Sequence, residues 1–82
     1  MYRLIFEKRE LDNLNKLQKQ IKERIWKKLQ DCKENPLKFF ERLVGDKSFK
    51  LRVGDWRIIA EIDVSEQIIK ILKVGHRKNI YH

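Results

Sequence analysis

A chain of 82 residues has room for one domain, spanning 1–82, with a small core and little stability to spare. Charged residues make up 39% of it and hydrophobic residues 41%, the latter in periodic positions, which argues against intrinsic disorder. The net charge of +8 and a pI near 9.8 call for an acidic partner, with nucleic acid ranked first, an acidic protein second and a membrane surface a distant third.

The single cysteine, Cys32, has no internal disulfide partner, and two histidines near the end give no metal-ligand spacing, so a reducing cytoplasm and no cofactor are expected. The opening Met1-Tyr2-Arg3-Leu4-Ile5-Phe6 meets Glu7-Lys8-Arg9-Glu10 at once, an apolar run too short for a signal peptide or a membrane span. No repeat and no low-complexity tract interrupts the chain.

Tyr2 to Phe6 alternates Tyr2, Leu4 and Phe6 against Arg3 and Ile5, the pattern of a strand with one face in the core. From Lys8 to Leu14 the spacing turns helical, with Leu11 and Leu14 three apart, and a break is expected near Asn13 to Lys16. Leu17, Ile21, Ile25, Leu29 and Cys32 then form one apolar stripe, widened by Trp26, on a long helix. Its opposite face, with Lys19, Lys22, Glu23, Lys27, Lys28 and Asp31, reads as solvated surface rather than a binding site. Asn35-Pro36 ends this helix, because proline excludes the α region for the residue before it. Asn35 can cap a short helix from Pro36 that carries Leu37, Phe40 and Leu43 inward. Gly45-Asp46-Lys47 follows as a turn.

Phe49 to Ile59 reads as two strands joined by a two-residue Gly54-Asp55 turn, since apolar and polar positions alternate on both sides of a glycine that supplies φ > 0. With Val53 and Trp56 closing the hairpin, counting places Arg52 opposite Arg57 and Lys50 opposite Ile59 on one face. Like charges directly opposite are destabilising, by up to several kcal/mol at an effective dielectric of ~20, so a chain that keeps them is holding a polyanion. The second strand continues through Ile62, and Asp63 to Glu66 turns the chain again. Gln67 to Val74 forms a last strand, apolar on both faces at Ile68, Ile69, Ile71 and Leu72, as a central strand requires. The expected fold is therefore α+β: an N-terminal strand, an antiparallel helical hairpin, then a three-stranded antiparallel meander, in one small, mostly antiparallel sheet with helices on one face. The other face carries Lys50, Arg52 and Arg57 and must meet solvent or a ligand.

The tail, Val74 to His82, leaves the last strand through Gly75 and gathers His76, Arg77, Lys78 and Tyr81. Folding alone does not call for this set. If the tail reaches the basic face, guanidinium forks and a phenol gather where a phosphodiester could lie, with Glu61 the one obvious acidic counterpart. No carboxylate cluster for Mg²⁺ accompanies them, which argues against two-metal hydrolysis and keeps metal-free RNA cleavage open. In that chemistry the 2′-OH attacks phosphorus, cations stabilise the pentacovalent phosphate and an acid protonates the leaving 5′ oxygen.

With these residues in place, the whole chain resembles the RelE/ParE toxin superfamily, and the RelE side of it. The strand, helical hairpin and Leu51-to-Ile58 tract identify the fold shared by both branches; Arg77 followed four residues later by Tyr81 favours the RelE-like ribonucleases. The resemblance implies the toxin of a type II toxin–antitoxin pair, a metal-independent endoribonuclease that enters the ribosomal A site and cuts mRNA. It further implies neutralisation by a RelB-like antitoxin with an acidic binding segment, and contact with operator DNA only through the toxin–antitoxin complex. Position by position, Lys50 and Arg52 match the family's basic strand pair, and Arg57 matches its arginine after the turn. Arg77 and Tyr81 match the arginine and tyrosine of the tail. Arg57 is then expected to stabilise the transition-state phosphate, Arg77 to bind phosphate or assist the leaving group, and Tyr81 to stack on or orient a base, with Lys78 a further RNA contact. Arg52 departs from the lysine of several relatives, and a guanidinium is no general base at ordinary pH, so proton transfer falls to Lys50 or His76.

Each of these residues also has a bland role. Arg52 and Arg57 could splay from an exposed sheet face, Lys50 could pair diagonally with Glu61, and Tyr81 could anchor the terminus. Two other functions fit the same sequence: a ParE-like gyrase inhibitor that cuts nothing itself, and a non-catalytic basic module that binds nucleic acid by counterion release.

Overall fold

The computed structural model describes residues 1–80. In chain order it comprises β1 (Arg3–Phe6), α1 (Lys8–Asn15), α2 (Lys19–Asp31), α3 (Pro36–Phe39), β2 (Glu41–Arg42), β3 (Phe49–Val53), β4 (Trp56–Asp63) and β5 (Ile68–His76). The strands form one sheet in the order β1-β5-β4-β3-β2, antiparallel throughout except that β1 runs parallel to β5. Among the described residues, no helix is long and apolar enough to cross a membrane.

The hairpin register follows from its turn. Gly54 takes φ +59°, a conformation that glycine reaches without a Cβ clash, and the ladder closes with Val53 opposite Trp56, Leu51 opposite Ile58 and Phe49 opposite Ala60. Leu51, Ile58 and Ala60 therefore share one face. They join Ile69 and Ile71 of β5 and Ile25, Leu29 and Cys32 from the end of α2 and the turn after it in a fully buried core. Leu4 and Phe6 of β1 lie on the same side, opposite Ile69 and Ile71. The stripe along α2 is thus what covers the sheet, and Phe6 stacks on Trp26 at 6.1 Å between ring centroids.

Three features differ from the sequence reading. Leu37 is exposed at 51% rather than turned inward, while Phe40 is buried. Pro36, itself buried, takes the inward place at the first turn of α3. A short fifth strand, β2, pairs Glu41 with Lys50 and Arg42 with Phe49 at the edge of the expected meander. Finally, β5 runs to His76 and contains a bulge: Ile59 faces Lys73 but Ala60 faces Ile71, so Leu72 is an extra residue. An inserted residue shifts the alternation by one. Ile71 and Val74 consequently both face the core, and Gly75 falls opposite Arg57 on the open face.

The bulged strand keeps an anchor where β1 has ended. Glu10 of α1, 8% exposed, accepts a hydrogen bond from the Val74 backbone N–H at 2.9 Å through Oε1, and from Asn13 Nδ2 at 3.3 Å through Oε2. A buried carboxylate with these partners satisfies a strand-edge donor that would otherwise be desolvated.

Candidate functional site

The face of the sheet away from α2 carries Lys50 and Arg52 on β3, Arg57, Ile59 and Glu61 on β4, and Lys73 and Gly75 on β5. Arg52 stands directly opposite Arg57, as the turn chemistry requires. Arg57 is half-buried and curls toward its own turn: Nη1 donates to the carbonyl oxygens of Gly54 at 2.8 Å and Trp56 at 2.9 Å. These bonds tie up one corner of the guanidinium and fix its position. Arg52 is exposed. Lys50 is paired not with Glu61 but across the new edge strand, Nζ to Glu41 Oε2 at 3.7 Å. A contact of that length with an exposed glutamate is weak and can be exchanged for a phosphate.

The tail folds back onto the hairpin. The Arg77 N–H donates to the Asp55 carbonyl at 2.8 Å, and Arg77 Nε lies 3.7 Å from Asp55 Oδ1. One turn further on, the N–H groups of Asn79 and Ile80 both donate to the His76 carbonyl, at 2.9 and 3.1 Å. This curl lays Ile80, 2% exposed, over Gly75: a Cβ built on Gly75 would lie 3.0 Å from Ile80 Cδ1. Because Gly75 is the cross-strand partner of Arg57, the end of the tail sits on the basic face. The acidic counterparts are Asp55 and Glu41 rather than Glu61 alone.

His76 does not join this group. Its register partner is Trp56, on the helix side of the sheet, and the two rings meet edge-on with centroids 5.6 Å apart. Its Nδ1 accepts the Lys78 backbone N–H at 3.2 Å. The bulge is the reason: it puts Gly75 on the basic face and turns the next residue to the other. Lys78 is exposed. Tyr81 lies outside the described residues. Among those residues, no group of three or more His, Cys, Asp or Glu side chains could hold a metal ion.

One cation escaped the sequence reading. Arg24 of α2 presses its guanidinium against the hairpin turn, with Nη1 3.0 Å and Cζ 3.3 Å from where a Gly54 Cβ would be. As one charge among many on a helix face it carries no sequence signal; only the packing of α2 on β3 singles it out.

The comparisons with known proteins agree with this architecture. Residues 4–81 match the family model described as the ParE toxin of the type II toxin–antitoxin system parDE. Among curated proteins none matches the sequence. Of solved structures, the toxin–antitoxin complex RelBE2 from Mycobacterium tuberculosis superposes with a TM-score of 0.81 at 26% identity, over 93% of this chain and 98% of that one. The archaeal RelE–RelB complex from Pyrococcus horikoshii gives 0.78 at 27% identity, over 95% and 97%. The intact E. coli RelBE complex gives 0.78 at 26%, over 93% and 96%. The fold is that of a small toxin of the RelE/ParE superfamily. With nearly the whole chain matched, it belongs to the ParE toxin family of type II toxin–antitoxin systems.

Proposed function

We propose that this toxin is a ribosome-dependent, metal-independent endoribonuclease that cuts mRNA in the A site and so stops translation. The observation that supports this reading best is the curl of Ile80 over Gly75, which brings the tail onto the face where Arg52 opposes Arg57. In the proposed reaction the 2′-oxygen attacks phosphorus as its proton is taken up. The P–O5′ bond then breaks, and a proton is delivered to the departing 5′-oxygen, leaving a 2′,3′-cyclic phosphate. Arg57, held by its own turn, stabilises the charge on the pentacovalent phosphate, and Arg52 binds a non-bridging oxygen. Lys50 lies two residues from Arg52 along β3, roughly 7 Å away, and in its neutral amine form would take up the 2′-OH proton. Arg77 supports the leaving side, Lys78 meets the RNA backbone, and Tyr81 stacks on a base.

The partner in the cell is an antitoxin of RelB type whose acidic segment neutralises the basic face, with operator DNA contacted only by that complex. Support comes from the charge of +8 and from structural relatives that are RelB–RelE complexes. Expression in a bacterial translation extract followed by primer extension tests the nuclease: codon-positioned cuts in mRNA are expected, and intact mRNA with normal translation overturns it. A second reading, a gyrase inhibitor without nuclease activity, is favoured by the ParE name of the matching family model. Gyrase-linked DNA breaks with uncut mRNA would establish that reading instead.

A further inference from the structure

The basic character of the hairpin does not stop at the open face. On the helix side of its tip lies a cleft of about 260 Å³, lined by Arg24, Lys27 and Lys28 of α2, by Arg52 and Gly54 of the hairpin, and by a single acid, Asp31. Three guanidinium groups converge on the two-residue turn. Arg57 donates to the Gly54 carbonyl, Arg77 approaches the Asp55 carboxylate, and Arg24 lies against Gly54. Of the three only Arg77 meets a carboxylate, and the Arg24 guanidinium has no hydrogen bond or ion pair among the described residues.

Gly54 is required by its φ of +59°, but the turn places no demand on residue 24. An arginine laid flat on a glycine keeps the edge of its fork free for a bidentate anion, which a lysine cannot match. Lys28, which also lines the cleft, has its ammonium 4.8 Å from the Phe39 ring centroid. A concentration of like charge at one edge of a small domain costs self-repulsion unless a polyanion neutralises it.

We infer that the cleft between α2 and the hairpin tip is a second phosphate-binding site, which takes backbone phosphates of structured RNA away from the strand being cut. The inference rests on the RNA-directed reading above. Arg52 lines the cleft and also stands opposite Arg57 on the open face, so phosphates bound at the two places lie on either side of the hairpin tip. The tip therefore acts as a wedge between two stretches of RNA backbone, and Arg52 borders both.

The test measures binding of the full chain to bacterial ribosomes programmed with an mRNA whose A-site codon carries 2′-O-methyl groups, which removes the nucleophile. Arg24→Gln with Lys27→Gln removes two cleft cations, and Lys8→Gln with Arg9→Gln removes two exposed cations from α1 as a charge-matched control. The cleft pair is expected to lower the slope of log affinity against log salt by roughly 1.4–1.8, at ~0.7–0.9 per phosphate contact, without changing the melting temperature. The control pair leaves the slope unchanged. Arg24→Lys with Lys27 intact falls between the parent and the cleft pair. Equal effects from both pairs, or no effect from the cleft pair, overturn the inference, as does a loss confined to binding of an acidic antitoxin peptide. If Arg57→Ala weakens ribosome binding while the cleft pair does not, the second site fails and the nuclease reading stands; if the parent does not bind, both fail.

Discussion

The two faces of the β3–β4 hairpin are built from alternating residues of the same strands, yet different physics holds each. Toward α2, Leu51, Ile58 and Ala60 are removed from water against Ile25 and Leu29, and this burial stabilises the domain. Away from α2, Lys50, Arg52 and Arg57 are held by one weak ion pair and two hydrogen bonds to backbone carbonyls. Neighbours such as Arg57 and Ile58 thus belong to different problems: one positions charge, the other fills space. The β-strand period of two keeps them apart, and the bulge at Leu72 redistributes β5 between them.

Substitution at these adjacent positions is the strongest way to break the contrast. Ile58→Ala empties a fully buried site and is expected to cost about 2–5 kcal/mol in denaturant unfolding, a large part of the stability of so small a domain. Arg57→Ala should lie within about 1 kcal/mol of the parent in the same measurement, because its two acceptor carbonyls belong to Gly54 and Trp56, neither of them a buried residue. In the translation extract it should reduce the cleavage rate by about 10²–10³, the loss typical of a missing charge-stabilising donor. Destabilisation at Arg57 as large as at Ile58 would show that the basic face is structural after all.

How far the sequence reveals the molecule follows the same division. The hairpin register, with Arg52 opposite Arg57, is legible because a Gly-Asp turn and strict alternation leave one pairing. The helix stripe is legible because Ile25, Leu29 and Cys32 recur at helical spacing, and all three are fully buried. The bulge is not, because β5 is apolar on both sides at Ile68, Ile69, Ile71 and Leu72, and without alternation an inserted residue leaves no trace. From that follows the misplacement of His76, which parity alone would have put on the face it does not occupy. Strand β2 has two residues, too few for any period, and Glu10 resembles the other acids of an amphipathic helix until its carboxylate meets the Val74 N–H.

A smaller effect sharpens the description of the covered face. Burial pushes the Cys32 thiol up from 9.0 to about 11, with nearby Lys28 opposing the shift. In the unfolded chain the thiol ionises from pH 9, while the folded one stays protonated until about 11. The stabilisation is therefore fully present below pH 9 and is lost as pH rises from 9 to about 11, by roughly 3 kcal/mol at ~1.4 kcal/mol per unit. Cys32→Ala removes this term. Unfolding free energies of parent and variant, followed from pH 8 to 11, should converge over that window. Parallel curves would mean that water reaches the thiol and that the covered face is less dry than its burial implies.

The smallest expected change in stability tests the open face where it meets the tail. Gly75 needs no left-handed backbone, so alanine there introduces no conformational strain, and its one cost is the 3.0 Å approach to Ile80 Cδ1. That atom is the end of a side chain on a curl held by two hydrogen bonds to the His76 carbonyl, so the tail moves more readily than the strand. Gly75→Ala should therefore change stability by about 0.5 kcal/mol or less, and Gly75→Val by little more, since β-branched residues suit a strand. Activity should fall in the opposite proportion. Displacing Ile80 shifts the end of the tail relative to Arg57, and misplacement by about 1 Å can cost up to ~10²-fold in rate. Single-turnover cleavage on programmed ribosomes should decline from Gly to Ala to Val while the melting temperature stays nearly constant. Equal rates across the three would detach the tail from the reaction, leaving the Arg52–Arg57 face as the whole of the site.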